Sequence, residues 1–194
     1  MNTHTTVQHD SLFLVDQFLI AMPTLSESSF SGSVTYLCQH SAEGAFGVVI
    51  NRHTDITVGD VMRQMSIKNV CQEVRDLPVY DGGPVERERG FILHSPVGQW
   101  DSTLQMSDSI ALTTSRDILE AIAKNQGPQQ FLIALGYAGW AAHQLEQELI
   151  DNAWLNVAAD SVILFDTPVE QRSKAAAACI GVDINILSSQ SGHA

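Results

Sequence analysis

The spacing of apolar and polar residues predicts short strands first and helices later. Residues 18–21 form an apolar run stopped by Pro23. Residues 34–39 put Val34, Tyr36 and Cys38 on one face, and residues 47–51 are apolar almost throughout. Runs of this length, separated by Ser- and Gly-containing turns, predict three neighbouring strands of one sheet. Thr57-x-x-Asp60 is an N-cap signature, with Val58, Val61, Met62 and Met65 on one side of the short helix that follows. Residues 66–78 lack a clear period and read as a loop. Val79 and Tyr80 then lead into the turn Asp81-Gly82-Gly83-Pro84, with a return strand at 91–94. A polar loop through Pro96, Gly98 and Trp100 precedes a strand at 110–113. Thr114-x-x-Asp117 caps a helix whose core face is Ile118, Leu119 and Ile122 and whose stop is Gly127-Pro128.

The stretch from Phe131 to Trp154 organises the rest. Residues 131–135 predict a buried strand, and residues 136–140 (Gly-Tyr-Ala-Gly-Trp) predict a tight corner. Ala138, Ala142, Leu145, Leu149 and Ala153 then predict the apolar stripe of a helix. Residues 161–165 complete the strands. Thr167-Pro168-Val169-Glu170 predicts a helix start, continuing through the alanines to a left-handed Gly181. The order β-β-β-α-β-β-β-α-β-α-β-α is neither strictly alternating nor segregated, which points to an α+β fold with a mixed sheet.

At 194 residues and 44% hydrophobic, the chain suits one domain spanning 1–194, with residues 1–11 frayed. It shows no secretory leader and no apolar run near the ~18–20 residues that a membrane span requires. Cys38, Cys71 and Cys179 are scattered and odd in number, as expected of reduced thiols in a cytoplasmic protein. Cys38 and Cys179 are expected to be buried. The net charge of −12 changes the picture most. DNA binding draws its affinity from Lys and Arg against phosphates. Here Arg87 and Arg89 alternate with Glu86 and Glu88, and no basic patch is visible. The composition argues against direct nucleic-acid binding.

Candidate chemistry is sparse. His143 and Glu146 share a helical i, i+3 spacing, but a bundle-type metal site needs a second such pair, so no metal or cofactor is expected. The Gly corner at 136–140 has the outline of a nucleophile elbow, yet carries Tyr137 and Ala138 where Ser or Cys is required. Asp81-Gly82-Gly83-Pro84 either exposes backbone N–H groups to a ligand or is a structural turn. Arg52, beside Asn51 at the end of a buried strand, either binds an anion or pairs with a carboxylate.

The motifs FLIAMP (18–23), GAFGVVINR (44–52), YDGGPV (80–85), RGFILH (89–94), LTTSRDIL (112–119), GYAGW (136–140), QLEQEL (144–149) and the closing GHA resemble the YqgE/AlgH family of bacterial proteins, in order and over essentially the whole chain. The resemblance implies a single α+β domain whose bifurcated sheet folds into a pseudo-barrel with flanking helices. It brings no established activity. A transcriptional-regulator label exists within the family, which the acidic charge here makes an indirect role. The shared motifs point to Asn51, Arg52, Gly82, Gly83, Pro84, His94, Gly136, Tyr137, Gly139, Trp140, Gln144 and Glu146 as candidate ligand-binding residues. Two departures stand out. Ala141-Ala142-His143-Gln144 replaces the usual G-A-G-Q, and Ser173 replaces the Trp that usually follows Arg172.

These readings leave three expectations. The first is a non-enzymatic domain that binds a small molecule or protein partner and acts indirectly on regulation. The second is an enzyme with Asn51, Arg52, His94, Tyr137 and Glu146 in one pocket. The third is a regulator that touches DNA itself, which the charge opposes.

Overall fold

The computed structural model describes residues 14–183. The expectations for residues 1–11 and for the closing Gly192-His193-Ala194 lie outside that range. In chain order the strands are β1 (Gln17–Ala21), β2 (Val34–Ser41), β3 (Gly44–Val49), β4 (His53–Thr57), β5 (Pro78–Asp81), β6 (Val85–Ser95), β7 (Thr103–Gln105), β8 (Ala111–Thr113), β9 (Gln130–Ala141) and β10 (Trp154–Ala158). The α-helices are α1 (Val58–Gln64), α2 (Gln72–Arg75), α3 (Arg116–Ala123), α4 (Gln144–Ile150) and α5 (Arg172–Ala178). No helix among the described residues is long and apolar enough to cross a membrane.

The hub is β9. One edge pairs antiparallel with β6 from Gln130 to Tyr137. The other edge changes partner midway: Ala134 and Leu135 pair parallel with β5, and Ala138 to Ala141 pair antiparallel with β3. The sheet therefore forks at Gly136 and curls into a half-barrel with the order β10-β1-β2-β3-β9-β6-β8-β7. This is the bifurcated α+β architecture expected from the resemblance.

Side-chain alternation distributes the strands over separate cores. Phe91, Leu93, Leu132 and Ala134 join Phe18, Tyr36 and Ile50 inside the curl. Ile92 and Ile133, one residue out of phase, face a helical layer with Met62 from α1, Val74 from α2 and Ile118 and Ile122 from α3. Beyond the fork, Ala138 and Trp140 join Leu19, Leu37, Leu145 and Trp154 in a third cluster. Thr57 caps α1 in a reciprocal box with Asp60, as its spacing predicts. Gly181 has φ 72°, as the end of the last helix predicts.

Several local expectations are corrected. Residues 136–140 are not a corner but the second half of one 12-residue strand, because pairing with β6 on either side of Gly136 and with β3 from Ala138 onward carries the strand through both glycines. The helix begins only at Gln144, so Ala138 and Ala142 lie outside its stripe. Residues 154–158, which follow the predicted helical stripe and fall in no predicted element, form strand β10 against β1. Residues 161–165 are a π-helical turn (Val162–Asp166) rather than a strand. Residues 53–57 and 103–105 are strands whose polar sequence hid them, and α2 lies in the supposed loop at 66–78. The N-cap of α3 is Ser115 rather than Thr114. Thr167 donates its hydroxyl to the Val162 carbonyl at 3.0 Å instead of capping. Cys38 is buried and burial pushes its thiol pKa up, but Cys179 is exposed just past α5.

Candidate functional site

The path to the site begins at the end of β3. The Asn51 carboxamide accepts from Val34 N–H at 2.8 Å and donates to the Gly32 carbonyl at 2.9 Å. The Arg52 guanidinium donates to the carbonyls of Ser29 and Ser31. These two side chains latch residues 29–34 against the sheet, and Phe30 completes the latch by stacking on Trp140 with centroids 6.2 Å apart. Arg52 thus pairs with backbone carbonyls rather than with a surface carboxylate. Two of its five N–H groups are used in this way.

The Asp81-Gly82-Gly83-Pro84 turn docks at the fork. Gly82 N–H donates to the Leu135 carbonyl at 2.8 Å, and the Gly82 carbonyl accepts from Val49 at 2.9 Å. Asp81 N–H donates to the Arg52 carbonyl at 3.0 Å. A Cβ on Gly82 would overlap the Gly136 carbonyl, one on Gly83 would overlap the Tyr137 backbone, and one on Gly136 would overlap the Gly83 carbonyl. Gly83 and Gly136 also have φ 145° and 76°. Here two backbones cross where no side chain fits. Far apart along the chain, the 51–52 pair, the turn and the 136–137 junction meet at one place.

The third wall comes from β6. Between the pairs Val85↔Tyr137 and Gly90↔Leu135, residues 86–89 oppose Gly136 alone. Glu-Arg-Glu-Arg offers nothing to bury, and all four residues are exposed on a bulge, with Glu86 at φ 46°. Glu86 and Arg89 pair at 3.0 Å on the surface. Arg87 makes no hydrogen bond or ion pair to the described residues.

The resulting cleft, about 230 Å³, is lined by Ser29, Phe30, Val49, Arg52, Asp81, Gly83, Pro84 and Arg87. Of the candidate residues, Arg52, Gly83 and Pro84 line it, while Asn51, Gly82 and Gly136 build it without lining it. Its members missing from the candidate set are Ser29, Phe30, Val49, Asp81 and Arg87. The signal for Arg87 was an uninterrupted charged run inside a strand, which a regular pleat would not bury.

The remaining candidates lie elsewhere. Tyr137 packs edge-on to Phe46 and Phe91. It shares an open surface groove with Gly139 and Trp140 rather than the cleft. The Trp140 and Trp154 indoles both donate to Oε2 of Glu148 at 2.8 Å, and Gln144 donates to its Oε1 at 2.9 Å. Gln144 also accepts from Ala141 N–H, closing the start of α4. Glu146 faces His40: Leu14 N–H donates to Nδ1, so Nε2–H donates to Glu146 at 3.0 Å. The carboxyl of Glu146 is held below its usual range by its own backbone N–H and by His40, against a burial penalty. His143 precedes α4 at φ 63°, a left-handed position that suits the glycine of the usual G-A-G-Q pattern. From the N-cap its ring also helps to lower the pKa of Glu146. Arg172 is buried, donates to the Thr167 and Ile50 carbonyls, and lies 5.1 Å over the Tyr80 ring, joining α5 to the back of the cleft. Ser173 beside it is half-buried.

His94 is fully buried between the Pro96 carbonyl (Nδ1, 2.9 Å) and the Thr113 hydroxyl (Nε2, 2.8 Å). It is a structural side chain remote from the cleft. Burial lowers its pKa, opposed by the bond to Pro96. A depressed folded pKa means the unfolded chain binds a proton that the native ring refuses. Stability is then full above about pH 6.5 and falls as pH drops through the depressed pKa. His53, lowered by burial and by Arg172, acts in the same direction. Thermal melts from about pH 7 to pH 5 are expected to fall less steeply for His94→Gln than for the unaltered protein. Equal slopes would remove His94 from the account. The five residues of an enzymatic pocket, Asn51, Arg52, His94, Tyr137 and Glu146, do not line one cavity.

A profile of the AlgH-like family, DUF179, matches residues 18–185. A UPF0301 protein of Methylococcus capsulatus is 54% identical over 181 residues, covering 93% of this chain and 96% of its own. One from Nitrosococcus oceani is 52% identical over 179 residues, covering 92% and 96%. The solution structure of AlgH from Pseudomonas aeruginosa superposes with a TM-score of 0.79 at 45% identity, over 96% of this chain and 99% of that one. A Corynebacterium diphtheriae crystal structure with a TM-score of 0.70 and 18% identity, over 90% and 91%, shares the fold. With the forked sheet and the turn at its branch point in view, the chain belongs to the AlgH-like family.

Proposed function

We propose that the protein is a non-enzymatic binding domain of the cytoplasm that takes a small anionic molecule in the cleft between Arg52, the 81–84 turn and Arg87, and acts on regulation indirectly. The observation that carries this reading is the placement of two arginines from separate segments at one cleft, in a chain of net charge −12. One of them, Arg87, has no partner among the described residues. Cations are scarce in this chain, and a concave site collecting two of them favours an anion. The same charge balance supports a regulatory effect that does not pass through DNA. Pockets for drug-sized ligands measure about 300–1,000 Å³, so a cleft of about 230 Å³ suits a metabolite smaller than a nucleotide.

Calorimetric titration with a panel of organic acids, inorganic phosphate and acidic amino acids tests the reading. At least one anion is expected to bind, and Arg87→Ala is expected to weaken it about tenfold while leaving the thermal melt unchanged, since Arg87 bonds to none of the described residues. Binding indifferent to Arg87, or none across the panel, would overturn it.

A further inference from the structure

The cleft is not uniformly positive. Asp81 lines it together with the two arginines, yet its carboxylate pairs with neither: among the described residues that carboxylate accepts from Gly83 N–H at 3.3 Å. Arg52 is turned to the Ser29 and Ser31 carbonyls, and Arg87, on the bulge, bonds to none of the described residues. Three charges from three chain segments thus border one small space without neutralising one another. A plain anion would meet Asp81 as a like charge, and a plain cation would meet two arginines. A molecule with two acid groups and one amine presents the opposite pattern to each. Phe30, Val49 and Pro84 supply an apolar wall for a short methylene chain.

We infer that the ligand is of the acidic-amino-acid class, with its two carboxylates at Arg52 and Arg87 and its ammonium at Asp81. This rests on the proposed anion cleft and narrows it. The comparison that tests it is L-glutamate against glutarate, which differ by the amine alone. L-Glutamate is expected to bind the unaltered protein about tenfold more tightly, the factor one charge-assisted hydrogen bond brings. Asp81→Asn is expected to erase that preference, and Arg87→Ala to weaken both ligands. Because Asp81 also receives Gly83 N–H, its variant is compared by thermal melt. Amide spectra of the unaltered protein are read in parallel, where L-glutamate is expected to shift Gly83 and its neighbours first.

Equal binding of the two ligands overturns this inference and leaves the anion cleft standing. A preference that survives Asp81→Asn, or shifts confined to residues away from Gly83, also overturns it. Failure of every anion in the panel removes both readings together.

Discussion

Gly136→Ala is expected to destabilise the fold by about 3 kcal/mol or more, among the largest effects of any single methyl addition in this chain. Two terms act together. At φ 76° a side chain occupies left-handed backbone, which disfavours Ala by about 1–2 kcal/mol. The new Cβ would also overlap the Gly83 carbonyl, while the Val85 carbonyl lies at 3.1 Å and Arg87 Cα at 3.3 Å. These neighbours are backbone and cannot rotate away, so overpacking adds about 1–3 kcal/mol. Gly139→Ala, three residues on in the same motif, is the control. Its φ is not positive, and the nearest atom to a new Cβ is the edge of the Tyr137 ring at 3.2 Å, a side chain able to yield. A loss of about 1 kcal/mol or less is expected there. Urea denaturation of both variants checks the contrast. Equal losses would mean that the fork does not depend on close backbone approach at Gly136.

Glu148→Ala is expected to cost about 2–4 kcal/mol. One carboxylate oxygen accepts from two indoles that are almost fully buried, Trp140 at 6% and Trp154 at 2% exposure. Removing it leaves two buried N–H donors without an acceptor, at about 1–3 kcal/mol each, reduced where water reaches the half-buried Glu148 position. Glu148→Gln keeps one acceptor oxygen but sets its amide against the Gln144 donor, so a smaller loss of about 1 kcal/mol is expected. Because the rings pack on one another and on Phe30, tryptophan fluorescence follows the same transition. A Glu148→Ala protein as stable as the unaltered one would show that the indoles find other partners.

Legibility followed how local each signal was. The capping box at Thr57, the apolar face of α3 and the strands around Phe18, Tyr36 and Phe91 could be read from the chain, because turn chemistry and side-chain period act over a few residues. The GYAGW segment misled because glycines beside a helical pattern signal a corner, whereas pairing with β3 and β6 keeps the segment within the sheet. Tertiary pairing overrides propensity in this way. Strand β10 was hidden for a related reason: Ala153 continues a helical stripe, and only β1 makes the following residues extended.

By itself the sequence determined the fold class, the family resemblance and the scarcity of positive charge. It also showed which segments carry glycines and polar residues out of keeping with a plain core. Tertiary structure alone decided that Arg52, Asp81 and Arg87 share one cleft while His94, Tyr137 and Glu146 stand apart. The reason is physical. Periodicity and capping arise between residues a few positions apart, whereas the cleft exists only where β9 exchanges β5 for β3 and backbones from three distant segments cross at Gly82, Gly83 and Gly136.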